Sequence, residues 1–307
     1  MVANEAFSFE KYDEYTRINQ VLEGSVIDFI EHAIEERKDI RESTRKVHMC
    51  LVQALREFKK IQYFSDVTVA NIMAFDNWLH ARKNYRVVSI FSYHRRFHTY
   101  INLAIKLEYL NKDPYFTFRP DKGEKEVIRY IEEADILKLK KLKLDLKYLE
   151  RTRDLFIFQC YTGLSYSDLA LFDYSKVEIE KNSKGKKVYV LRDKRLKTNT
   201  NFTIVLMKPA MEILTKYDYK LPIISNQKYN KYLKEIGKMA KFPIELTTHV
   251  ARHTFATFCI NNKVNIEIVS KAMGHSNIAT TQIYAKILDK TVQNELSNLD
   301  AKLKKSK

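Results

Sequence analysis

Along the first ~110 residues apolar positions recur every three to four, the spacing that gathers them on one face of a helix. The pattern predicts helices over 25–37, 43–60, 66–82 and 87–108. In the second, Val47, Leu51, Ala54, Leu55 and Phe58 form the apolar stripe, while Arg45, Lys46, His48, Gln53 and Arg56 fall elsewhere. The fourth interleaves apolar residues with Tyr93, His94, Arg95, Arg96 and His98, just behind Arg86. Four such helices, two of them basic, assemble most simply as a short bundle. The stretch NKDPYFTFRPDKGEK (111–125) has two prolines, a glycine and mixed charge, and reads as a linker. Beyond it helices are expected at 132–142 and 150–161. Three stretches of alternating character follow, VEIEK, KKVYVLRD and NFTIVLM, then further helices. The expected class is therefore mainly α with a small β-sheet (α+β). The expected organisation is a leader over 1–20, a helical domain over 21–112, a linker over 113–124 and a second domain over 125–307.

Charge changes the picture. The chain of 307 residues has a formal net charge of +16 and a pI near 9.5, which asks for a polyanionic partner, nucleic acid before an anionic membrane surface. Residues 1–40 hold ten acidic and four basic side chains, so the leader is a poor DNA ligand. Residues 41–113 hold thirteen basic and six acidic, and 114–307 hold 37 and 22, so the basic surface spans both domains. No apolar run approaches the ~18 residues of a membrane span, and MVANEAFSFE lacks the regions of a signal peptide. A cytoplasmic, nucleoid-associated protein is expected. Cys50, Cys160 and Cys259 are far apart and form no CxxC pair, so they read as buried reduced thiols.

The densest chemistry lies in HVARH (249–253), MGHSN (273–277) and IATTQIYAK (278–286). His249 and Arg252 are three apart and share a helix face. An imidazole beside a guanidinium suits a phosphate, since arginine forks onto two oxygens and histidine adds a donor or moves a proton. His249 and His253 are four apart, as in the zinc motif HExxH. Val250 stands where that motif needs glutamate, so no metal is expected.

Taken together, THVARHTFATF, MGHSNIATTQIY and YTGLSYSDLALF resemble the catalytic domain of tyrosine recombinases, the phage-integrase family, most of all integrases of phages and conjugative elements. The family pattern has HxxR, then a GH turn, then a tyrosine nine residues on; here Arg252 to His275 is twenty-three and His275 to Tyr284 is nine. The resemblance covers 160–290 closely. More loosely, it makes 21–115 a helical core-binding (SAM-like) domain ahead of the catalytic one. It implies a site-specific recombinase that cuts and rejoins duplex DNA without metal, ATP or other cofactor. Tyr284 would be the nucleophile, forming a 3′-phosphotyrosine. Arg252 would neutralise the phosphorane, with His275 donating to the same oxygens. His249 would help take the tyrosine proton. Lys197 in RDKRLKTNT would protonate the leaving 5′-oxygen, with Lys194 as its competitor. Asp168 would buttress the site, and His253 would hydrogen-bond behind it. Arg45, Lys46, His48, Arg95 and Arg96 would touch DNA from the core-binding domain. The apolar positions Val292, Leu296, Leu299 and Leu303 would form a C-terminal helix linking protomers of a homotetramer.

One position departs from the pattern. Most of the family has an arginine after the TGL turn, and here stands Ser165. A hydroxyl brings one hydrogen bond and no charge. Either another cation takes the load, with Arg153, Arg192 and Arg195 as candidates, or the chain is a catalytically impaired DNA-binding relative. A type IB topoisomerase shares the tyrosine chemistry but not the MGHSN and TTQIY wording.

Overall fold

The computed structural model describes residues 24–124 and 127–284, with Ser297 as an isolated further position. The chain divides into two compact units at 126/127. The C-terminal stripe expected over 291–303 lies outside the described residues.

The N-terminal unit is built from α1 (Val26–Glu36), α2 (Glu42–Phe58), α3 (Val69–His80) and α4 (Val87–Lys106). Ser25 caps α1 by accepting from the Asp28 amide at 3.2 Å. The helix expected from residue 66 begins later, because one side chain claims the preceding backbone and another caps the helix from residue 68. Asp66 accepts from the amides of Gln62 and Tyr63 at 3.0 and 2.9 Å, folding a single 3₁₀ turn, and Thr68 then caps α3. One core joins all four helices through Ile30, Leu51, Leu55, Phe75, Leu79, Phe97 and Ile101. Val47 is exposed, and so is Cys50, against the reading of all three cysteines as buried; both lie on the turn of α2 that precedes its core-facing residues.

In the C-terminal unit α5 (Glu133–Lys141) leads into α6 (Lys147–Thr162). From Leu155 to Thr162 every residue of α6 is buried, because α8 (Lys208–Lys216), α9 (Asn226–Met239) and α10 (Thr248–Asn261) all pack on it. A helix wrapped on all sides needs apolar residues all round, which is why LFIFQC shows no period. The short α7 (Tyr166–Leu169) follows, and then an antiparallel sheet of β1 (Val177–Lys181), β2 (Lys187–Lys194) and β3 (Asn201–Val205), in that order. Leu191 pairs Ile204 and Lys194 pairs Asn201, so residues 195–200 form the turn of the β2–β3 hairpin. After α10 come α11 (Ile266–Ala272), which packs on β3, and the one-turn α12 (Ala279–Gln282). The observed class is the expected one, helices with one small sheet. No helix of the described residues is long and apolar enough to cross a membrane.

Candidate active site

Two glycine turns frame the site. α6 ends at Gly163 in the left-handed region, φ +66°, and α11 runs into Gly274 at φ +62°. A side chain at either would be strained by the backbone alone, and space forbids it too. A Cβ on Gly163 would lie 2.3 Å from the Phe255 ring, and one on Gly274 would lie 2.7 Å from Arg195 Cγ. These turns bring two carbonyls within reach of Arg252, which is 8% exposed on α10. Its Nη1 donates to Gly163 O and its Nη2 to Met273 O, the latter at 2.6 Å. Burial and the neighbouring Arg195 push this guanidinium down to about 9, so it stays charged at neutral pH.

Arg195 reaches the same place from the hairpin turn. Its stem crosses Gly274, its Nη1 donates to Met273 O at 3.0 Å, and its Nε lies 2.9 Å from Asp168 Oδ2. That Nε contact is an ion pair without hydrogen-bond alignment, since the buried N–H finds no acceptor along its axis. Asp168 also accepts from Ser165 Oγ at 2.6 Å and from the Leu196 amide at 2.9 Å. One buried carboxylate thus stitches the hairpin turn, with Lys197 exposed on it, to the turn after Gly163. Ser165 serves that carboxylate and carries no charge of its own. Of the other candidate cations, Arg153 is held by Asp154 at 2.8 Å and by Leu142 O, and Arg192 forms ion pairs with Glu178 and Glu180 across the sheet.

On the far side of Gly274, His275 Nδ1 pairs with the buried Thr281 hydroxyl at 2.7 Å, which fixes the ring and leaves Nε2 to act. Burial and the two guanidiniums hold His275 down to about 4, so it is a neutral donor at pH 7. Tyr284 is 1% exposed, packed with Phe255, Ile260, Val269 and Met273. Its hydroxyl meets His253 Nδ1 at 2.6 Å. Burial pushes the phenol up to about 12, with Arg252 opposing.

The chain that carries this assembly of HxxR, a GH turn and a tethered tyrosine matches two family descriptions, the first of which contains the assembly. The phage integrase family covers residues 129–291, and the phage integrase SAM-like domain covers 25–120. The chain belongs to the phage integrase family. Among relatives of this chain, the tyrosine recombinase XerA of Saccharolobus solfataricus is 28% identical over 205 residues. That match spans 66% of this chain and 63% of the relative's length. XerD of Staphylococcus aureus is 28% identical over 207 residues, covering 63% of this chain and 68% of its own. In structure, the integrase fold here is similar to that of the Tn1549 transposon integrase in complex with transposon right end DNA. The TM-score is 0.69 at 17% identity, over 90% of this chain and 99% of that one. A lambda integrase dimer bound to a core site gives 0.68 at 15%, over 92% and 82%.

Against the expected site residues, the integrase fold gathers Arg252, His275 and Tyr284 around one turn. It does not bring His249 to Tyr284: that ring is exposed on α10, and its neighbour one turn on, His253, holds the hydroxyl instead. His253, expected to hydrogen-bond behind the site, makes its hydrogen bond to the Tyr284 hydroxyl itself. Residues 249 and 253 share a helix face, so spacing alone could not tell which was the inner one. Arg195 went unresolved among three arginines because its route depends on Gly274, seventy-nine residues away. In the N-terminal unit Arg45 donates to the carbonyls of Ile34 and Arg37 at the end of α1, and His48 pairs with Tyr100, so both have internal partners. Lys46 and Arg95 are exposed, and Arg96 lies over the Tyr93 ring at 5.3 Å. Among the described residues no group of three His, Cys, Asp or Glu side chains could hold a metal.

Proposed function

We propose that this chain is a site-specific DNA recombinase, cutting and rejoining duplex DNA through a phosphotyrosine at Tyr284. The tyrosine oxygen attacks phosphorus, the bond to the 5′-oxygen breaks, and a 3′-phosphotyrosine and a free 5′-hydroxyl result. Attack by the 5′-hydroxyl of another strand reverses the step. The phosphoester energy is kept throughout, so neither ATP nor metal is required.

The observation that carries this reading is the convergence of Arg252 and Arg195 on the single carbonyl of Met273, beside His275 and Tyr284. Two neighbouring guanidiniums with one carboxylate between them are an uncomfortable resting state, as the downward push of Arg195 on Arg252 records. An anionic phosphate between them relieves it. Arg195 thus supplies the charge that Ser165 lacks, which weighs against the impaired, binding-only alternative. Lys197 on the hairpin turn protonates the leaving oxygen. The N-terminal helical domain, residues 21–112, grips the duplex with Lys46, Arg95 and Arg96, joined by the 113–124 segment to the catalytic domain of 125–307. Double-stranded DNA is the partner, as for the transposon and lambda integrases of like fold. The working form is a homotetramer on DNA, linked through the C-terminal segment, acting on the nucleoid in the cytoplasm.

The test uses nicked duplexes recovered from a randomised pool by SDS-resistant capture on the chain. Covalent adducts are expected with the unaltered protein and none with Tyr284→Phe. Adducts that persist in Tyr284→Phe sink the reading. Strand exchange that proceeds with a single site, instead of two, turns it toward a topoisomerase.

A further inference from the structure

The stretch IATTQIY places two threonines side by side, and the fold treats them differently. Thr280 is exposed, whereas Thr281, on the one-turn α12, is 0% exposed. The backbone of Thr281 is fixed on both sides: its amide donates to Ile278 O at 2.7 Å, and its carbonyl accepts from the Tyr284 amide at 3.0 Å. Its Oγ1 lies 2.7 Å from His275 Nδ1, and among the described residues this is the one side-chain hydrogen bond of either group. His275 is anchored in turn through its amide, which donates to Ser270 O at 3.0 Å. Which of the two side chains donates decides what the ring offers on its other side. A neutral imidazole carries one proton. Were it on Nδ1, the Thr281 oxygen would accept, and the hydroxyl hydrogen would be left buried without an acceptor. When Thr281 donates, its hydrogen is satisfied, Nδ1 accepts and the ring proton sits on Nε2. A carbonyl or carboxylate, the commoner partner of a functional histidine, can only accept, so it holds Nδ1–H and leaves Nε2 a lone pair. A hydroxyl permits the reverse.

We propose that Thr281 is a positioning residue: by donating to Nδ1 it holds His275 in the Nε2–H tautomer, so that the ring presents a donor, and not a lone pair, to the scissile phosphate. The assignment rests on His275 facing that phosphate in the function proposed above.

The surroundings make the choice of tautomer matter. Burial, Arg252 and Arg195 hold the His275 imidazole down to about 4, so at neutral pH it carries one proton and not two. An imidazolium would donate from both nitrogens whatever its partner, but a neutral ring donates from Nε2 only while Nδ1 accepts. In the opposite tautomer an Nε2 lone pair would face the phosphate oxygens and repel them as their charge grows in the transition state. Thr281 stands six residues after His275 and three before Tyr284, so the nine-residue spacing contains the group that sets the donor.

Two measurements test it. Proton–nitrogen correlation spectra of the histidine-labelled chain, with His275 identified by its loss in His275→Phe, are expected to show a protonated Nε2 and a bare Nδ1 at neutral pH. Thr281→Val keeps the shape and removes the hydroxyl, and there the single pattern should give way to a mixture of tautomers. Single-turnover adduct formation on a nicked duplex recovered as above should fall roughly 10–100-fold in Thr281→Val, the loss typical when a group that orients a functional histidine is removed, with gel-shift affinity unchanged. Thr281→Ser, which restores the hydroxyl, should recover most of that loss, and Thr280→Val, at the exposed neighbour, should match the unaltered protein. In a His275→Phe background Thr281→Val should cost nothing further, because the ring it acts through is gone. A bare Nε2 in the unaltered chain, a full rate in Thr281→Val, or losses that multiply in the double variant overturn the assignment while leaving the recombinase reading in place. If Thr281→Val does not fold, the spectrum of the unaltered chain decides. If the unaltered chain forms no adduct with any duplex of the pool, the functional reading fails and the assignment with it.

Discussion

In the N-terminal unit His94 Nδ1 meets the Tyr115 hydroxyl at 2.9 Å; in the C-terminal unit His253 Nδ1 meets the Tyr284 hydroxyl at 2.6 Å. Both imidazoles are pushed down by burial and both phenols up. What surrounds the two pairs differs. His94 is 0% exposed, and its Nε2 is held by Asp76 at 3.0 Å, so both ring nitrogens are occupied and a carboxylate stands ready to balance a proton. The groups acting on His253 besides burial are His249 and Arg252, both basic, with no carboxylate between them. The first pair is a closed network that fastens α3 and α4 to the turn at Pro114–Phe116. The second is left electrostatically short of negative charge. Identical partners at nearly identical distances thus sit in opposite electrostatic settings, according to the third group.

Three experiments probe the contrast, beginning with the largest effect. Removing charge from the reactive side, Arg195→Ala should cut single-turnover adduct formation by ~10²–10³, the usual loss for one pre-organised oxyanion donor. Arg192→Ala, which breaks only ion pairs across the sheet, should leave the rate intact. Equal rates in both variants would leave the convergence at Met273 without a role. On the closed side, His94→Phe leaves Asp76 and the Tyr115 hydroxyl without their partner and should cost about 1–3 kcal/mol in urea unfolding. Its adduct rate per folded molecule should not change; a parallel loss of rate would mean that the two pairs do not differ as argued.

The smallest effect concerns pH, where the pairs should behave alike. The folded values of His94, His253 and His275 all lie below the ordinary 6.5 of an unfolded histidine. The unfolded chain therefore takes up protons first as pH falls. Stability should be level above about pH 7 and decline as pH falls from about 6.5 towards 4. Thermal midpoints recorded across that range check it, and a rise in midpoint over the same interval would contradict the sign.

Much of this was legible in the chain itself. The period of three to four in residues 25–108 and the alternation in KKVYVLRD and NFTIVLM depend only on which faces meet water, so helices and hairpin could be read locally. The spacings from Arg252 to His275 and Tyr284 were equally plain, and Gly163 announced the end of its helix through the turn residue it is. Helix starts were less legible: Asp66 takes the amides of Gln62 and Tyr63 while Thr68 takes that of Asn71, and only the folded turn shows which of the two opens the helix.

The sequence by itself determined the class of fold, the two-part arrangement of helices and sheet, and the set of residue types suited to a phosphate. It could not decide which of three arginines joins Arg252, nor which of two histidines on one face of α10 meets the tyrosine. Those choices depend on approaches between segments far apart in the chain. The stem of Arg195 can pass only where Gly274 lacks a side chain, and His253 is the inner ring only because Tyr284 is packed against Phe255 and Met273. Local pattern fixes which face of a helix looks inward; tertiary packing alone decides what waits there.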